Sequence, residues 1–136
     1  MSQRSRRRIR GSLLVAMSLA LVVVLALPAL AGSFGWTVRF NESVKSRSWT
    51  AGSGDTKITS SMNCHSDAWV RTYQVRLARE RTFLPDVISD WVTLPCGSTQ
   101  TVTFPAWPRG DYHFELRKNG ASNVYWDGTG TTRYPN

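Results

Sequence analysis

Histidine and cysteine are scarce in this chain, with two of each in 136 residues. The histidines are His65 and His113, and the cysteines are Cys64 and Cys96. There is no C-x-x-C pair, no H-E-x-x-H, no G-x-S-x-G, no phosphate-binding loop, no G-x-G-x-x-G and no EF-hand loop. Gly52-Ser53-Gly54 reads as a flexible loop, not a nucleophile turn. The spacings that commonly announce zinc, calcium, nucleotide or serine-hydrolase chemistry are therefore missing, and no cofactor is implied. Amphipathic helix periods, internal repeats and low-complexity tracts are also lacking, and no linker marks a second domain.

What is present begins with an export signature. Arg4, Arg6, Arg7, Arg8 and Arg10 precede the apolar run Leu13 to Leu27, Pro28 breaks that run, and Ala29-Leu30-Ala31 supplies a small-x-small site. A basic, then apolar, then small-residue order reads as a signal peptide over 1–31, cleaved after Ala31. Ser5-Arg6-Arg7-Arg8-Ile9 also resembles a twin-arginine motif, although general secretion is the plainer route. Leu13 to Ala31 approaches the ~20 residues of a membrane helix, so an uncleaved anchor is the alternative. Pro28 and the Ala-Leu-Ala site favour cleavage, leaving contact with the membrane to the export step.

Removing the five leader arginines from the seventeen basic residues leaves twelve against nine acids, a net charge of +3. That is an ordinary surface charge, with no footprint for nucleic acid. Arginine outnumbers lysine heavily, as in chains from GC-rich bacterial genomes. The remaining 32–136 suffice for one secreted domain. All fifteen aromatic residues, six tryptophans among them, lie there. Two cysteines in an exported chain are expected to pair, so Cys64–Cys96 is the expected disulfide.

Strand signals fill this region. Trp36, Val38 and Phe40 alternate with polar residues, as do Tyr73, Val75 and Leu77, with Trp69 at the same parity. Lys57 to Met62, Trp91 to Leu94, Thr99 to Phe104, Tyr112 to Lys118, Val124 to Trp126 and Gly130 to Tyr134 complete the series. Glycine, proline and Asn-Gly or Asp-Gly turns separate them. The expected fold is an all-β antiparallel two-sheet sandwich of seven or eight strands. Asn119-Gly120 suits a two-residue type I′ turn, which would pair Tyr112–Lys118 with Ala121–Asp127.

Pro108-Arg109-Gly110-Asp111-Tyr112 resembles the turn of immunoglobulin-like and fibronectin-like sandwiches in which a Gly-x-Tyr step leads into a late strand and the tyrosine packs at a corner. The resemblance covers about ten residues and lacks the immunoglobulin cysteine two positions after the tyrosine. It implies architecture and no activity.

One constellation could carry chemistry. Asp111, His113 and Glu115 alternate along one strand and so share a face. In the Asn119-Gly120 register, His113 faces Trp126, Glu115 faces Val124 and Phe114 meets Tyr125. Carboxylate, imidazole and carboxylate beside an indole could form a sugar platform, a weak metal site or an acid/base pair. The plain alternative is a solvated sheet face. Trp36 and Trp69 are expected in the core. Trp49 and Trp107, in loop-like sequence, are either exposed anchors or plugs closing the sandwich. His65 and Asp67 beside Cys64 read as a turn. Arg71, Arg76, Arg79 and Arg81 form a local basic cluster that would suit an anionic wall polymer.

The leading expectation is a secreted, non-catalytic binding module for a polysaccharide, a wall polymer or a protein. A second is a protein-binding inhibitor or small toxin using the loops Trp49–Asp55 or Trp107–Asp111. A third is a hydrolase built on Asp111, His113 and Glu115.

Overall fold

The computed structural model describes residues 32–136. The expected signal peptide, its cleavage site and the alternative anchor lie outside the described residues. Ten strands follow in order: β1 (Gly32–Phe40), β2 (Ser43–Lys45), β3 (Trp49–Ala51), β4 (Gly54–Asn63), β5 (Thr72–Glu80), β6 (Val87–Ile88), β7 (Val92–Pro95), β8 (Thr99–Trp107), β9 (Gly110–Lys118) and β10 (Trp126–Tyr134). The chain is an all-β antiparallel two-sheet sandwich. The count exceeds seven or eight because β2, β3, β6 and β7 are short pieces of two to four residues.

One sheet has the order β1-β10-β4-β8. The other is built on β9 and β5, with β2 and β3 along the free edge of β9 and β6 and β7 along that of β5. Period-two alternation produces the core between them. Tyr73, Val75 and Leu77 of β5 and Tyr112, Phe114 and Leu116 of β9 meet Ile58 and Met62 of β4, and all eight are buried. Trp36 of β1 packs on Phe114 of β9 with ring centroids 4.9 Å apart. Tyr73 and Ser60 join the sheets through a buried hydroxyl pair at 2.7 Å. Trp36 is half-buried against this core. Trp69 is 89 % exposed, contrary to its parity, because it lies before β5 begins, in the turn held by Asp67.

The Cys64–Cys96 disulfide forms as expected. Cys64 follows β4 of one sheet and Cys96 follows β7 of the other, so the bond ties the sheets together at one end.

The Asn119-Gly120 hairpin does not form. After Lys118 the chain leaves the sheet and crosses to the opposite one, where Trp126 opens β10 between β1 and β4. Both edges of β9 are already occupied, by β5 and by β2 and β3, so a returning strand has nowhere to pair. The crossing is fixed from within: Lys118 Nζ bonds Ser122 Oγ at 2.7 Å and the Val124 carbonyl. Ser122 donates in turn to Asp67 Oδ2 at 2.5 Å.

Candidate functional site

Asp111, His113 and Glu115 do share one face, the outer side of the β9–β5 sheet, opposite the core residues Tyr112, Phe114 and Leu116. Their neighbours differ from the expected ones. Trp126 is fully buried in the core and pairs into the opposite sheet, and Val124 lies within the crossover, so neither pairs with this strand. Across β9, Glu115 is paired with Lys45 on one side and Arg76 on the other, and His113 is paired with Ala78. Phe114 meets Leu77 across the ladder, and Tyr125, 53 % exposed, lies under Arg39.

His113 is only 6 % exposed. Its Nδ1 lies 3.0 Å from Glu80 Oε1, which also accepts the Ser48 hydroxyl at 2.5 Å. Its Nε2 lies 3.6 Å from Glu115 Oε1 and has no hydrogen-bond partner among the described residues. Arg76 Nε donates to the other oxygen of Glu115, and Lys45 approaches to 3.6 Å. Burial would raise the Glu115 carboxyl. The bond and charge of Arg76, with His113 behind it, outweigh burial and hold that carboxyl below its ordinary value. Asp111 is exposed and accepts the Thr50 hydroxyl at 2.7 Å. The constellation is therefore a set of cross-strand pairs around a covered imidazole whose Nε2 is left without a hydrogen-bond partner among the described residues. Among the described residues, no three histidine, cysteine, aspartate or glutamate side chains converge to hold a metal ion.

Sequence parity understated the next row of this face. Trp91, just before β7, lies beneath two guanidinium groups, with Arg76 Cζ 4.3 Å and Arg117 Cζ 4.0 Å from the ring centroid. Arg76 thus belongs to the Glu115–Trp91 row. Arg71 bonds the carbonyls of His65 and Asp67, and Arg81 that of Pro85. The four arginines do not form one stripe.

Trp49 is buried as the first residue of β3, stacked on Tyr112 at 6.1 Å. Trp107 ends β8, half-buried, edge-on to Tyr112 at 6.0 Å. Both act as plugs. The loops suggested for an inhibitor are correspondingly tied down. Trp49–Ala51 is strand, Gly52 N donates to the Pro135 carbonyl at 2.8 Å, and the Tyr112 hydroxyl closes the 108–112 turn by donating to the Pro108 carbonyl. His65 does sit in a turn, although its Nε2 reaches Asp127 Oδ2 at 2.6 Å.

No family model matches the chain, and no curated protein matches it.

The segment that does project is one that sequence reasoning missed. Between β5 and β6, Phe83 is 96 % and Leu84 60 % exposed, followed by Val87 and Ile88 at 38 % and 51 %. Arg81 Nε donates to the Pro85 carbonyl at 2.8 Å, closing a turn with Phe83 and Leu84 at its tip. The available signal was an apolar Phe-Leu pair set between Arg81 and Asp86 with no strand alternation to bury it. No described helix is long and apolar enough to cross a membrane.

Proposed function

We propose that the chain is a secreted, non-catalytic, immunoglobulin-like binding module that docks a protein partner through the Phe83-Leu84 tip. The observation that carries this reading is the exposure of Phe83 and Leu84 on a turn stapled by Arg81, with Val87 and Ile88 of β6 exposed just after it. Large apolar side chains held clear of the core are the usual anchors of protein recognition. A stapled turn loses less conformational entropy on docking than a free loop. Secretion is supported by the leader pattern and is compatible with the disulfide. The non-catalytic reading is supported by the covered, self-paired state of His113 and Glu115. The glycan version loses the flat aromatic platform on which it rested, because Trp126 and Trp49 are core residues.

A photo-crosslinker placed at position 83, with position 57 on the opposite sheet as control, tests the reading in the organism's own extracellular fraction. The expected result is one discrete adduct from position 83, absent from position 57. Unlabelled protein should compete for it, and the Phe83→Ser/Leu84→Ser variant should not. Adducts that fail this competition would overturn it, as would self-association or binding to lipid vesicles through the same tip.

A further inference from the structure

A second feature stands apart from that tip, at the open side of the sandwich between β1 and β2. A hollow of about 390 Å³ lies there, within the range of small-molecule sites. Its apolar lining is Phe34, Trp36 and Val38 from β1, Val44 from β2, and Phe114 behind them. The three β1 residues alternate with Gly35 and Thr37, so one face of a strand supplies a continuous apolar floor. These side chains pack on the core yet remain half-exposed, because β1 and β2 are both edge strands and no further strand covers the gap.

The charged residues lining the hollow are Arg39, Lys45 and Arg47, with no acid among them. Arg47 has no ion-pair partner among the described residues, and its Cζ is held 4.1 Å over the Phe34 ring. A guanidinium fixed by cation–π contact keeps its N–H fork free for an oxyanion. Lys45 lies 3.6 Å from Glu115 and Arg39 3.9 Å from Asp127, and both side chains are 72 % exposed, so each is loosely held.

We infer that this hollow binds a small amphipathic anion, an alkyl or aryl carboxylate or sulfate. The apolar body would lie on Trp36, Val38 and Val44, and the oxyanion would meet Arg47. Complementarity selects this class. An apolar floor alone would accept neutral molecules, and a cationic rim alone would hold inorganic anions loosely; the two together favour a molecule carrying both features. The site does not depend on the Phe83 tip.

Calorimetric titration of the disulfide-bonded protein with monomeric decanoate, decyl sulfate and decanol, together with tryptophan emission, tests the inference. Saturable binding of either anion is expected, with decanol at least fivefold weaker. Arg47→Gln should weaken the anion at least fivefold and leave decanol unchanged. Arg133→Gln, which removes the same charge from an exposed position of β10 that does not line the hollow, should leave both unchanged. Val44→Phe, which fills the hollow, should weaken both ligands, with thermal melting confirming that the fold is kept. No binding of either anion by the parent protein would overturn the inference. So would equal losses in Arg47→Gln and Arg133→Gln, which would indicate bulk charge, or binding only to anionic vesicles and not to monomer.

Discussion

The indole N–H of Trp126 donates to Asp67 Oδ2 at 3.1 Å, joining residues 59 positions apart. Asp67 is itself buried, and the same carboxylate accepts the Ser122 hydroxyl and the backbone amides of Trp69 and Val70. One acidic side chain thus caps the turn after Cys64, anchors the crossover and satisfies the largest core residue. Lys118, 5.2 Å from the Trp126 ring centroid, bonds Ser122 from the other side.

Removing Asp67 should consequently be more damaging than its position in a loop suggests. Asp67→Ala leaves the Trp126 N–H and the two amides without their acceptor in a buried setting. We expect a fall in Tm of about 10 °C or more for a domain of this size, with tryptophan emission shifted to the red. Ser122→Ala, which removes one of the four donors, should lower Tm by less than half as much. Differential scanning calorimetry with the disulfide intact checks both.

Alternation made the sandwich legible. Trp36-Val38-Phe40, Tyr73-Val75-Leu77 and Tyr112-Phe114-Leu116 point inward as their parity requires, and a single pair of cysteines behind a leader-like N-terminus made the disulfide an expectation. The route after Lys118 was not legible. Asn119-Gly120 satisfies local turn chemistry whether the chain folds back or crosses over, and the decision lies with distant groups, Asp67 and the occupied edges of β9. That single choice displaced Trp126 from the site and left Asp111 beside Thr50, His113 beside Glu80, and Glu115 between Arg76 and Lys45. The stacking of Trp91 under Arg76 and Arg117 and the Phe83-Leu84 tip were not legible, because a surface position beside a short strand or in a turn carries no periodicity.

Acid should expose the two depressed carboxyls. Asp67 is held well below the ordinary carboxylate range, chiefly by the Ser122 hydroxyl and, against the opposing effect of burial, by the Val70 and Trp69 amides and the Trp126 indole. Glu115 is also lowered, with burial opposed by Arg76 and His113. A carboxyl lowered by folding contributes stability above its ordinary value, 3.8 for Asp67 and 4.5 for Glu115, and loses it as pH falls through the folded value. Tm should therefore be insensitive to these two groups at neutral pH and decline as pH drops below about 4. Asp67→Asn should flatten that decline while lowering Tm at neutral pH. An unchanged acid slope in the variant would remove Asp67 from this role.

Cutting the disulfide should loosen one end of the sandwich while leaving the strand registers in place. The bond closes a loop with sequence separation 32 and is the covalent tie between β4 and β7. Chain-entropy arguments give about 3–4 kcal/mol for such a loop. Cys64→Ser/Cys96→Ser should lose that amount in urea unfolding. Amide exchange should rise most at Gly97, whose N–H donates to the Met62 carbonyl, and at position 96, whose N–H donates to that of Arg71.

Two glycines on paired strands offer the sharpest test of packing. Gly130 of β10 lies opposite Trp36 of β1, and the indole passes over it to donate from Nε1 to Thr132 Oγ1 at 3.2 Å. A Cβ at 130 would collide with the Trp36 ring on one side and the Thr59 carbonyl on the other, and that carbonyl belongs to the β4 ladder and cannot retreat. Gly35, next to Trp36, has only the Gly130 carbonyl near its Cβ position, at an ordinary 3.8 Å. Gly130→Ala should therefore cost about 3 kcal/mol, the upper end of overpacking effects. Gly35→Ala should be neutral or slightly stabilising, because alanine has less backbone entropy to lose in a strand. Urea unfolding of the two variants measures the difference directly. Equal effects would mean that Trp36 does not lie across β10, and the floor of the β1–β2 hollow would then have to be redrawn.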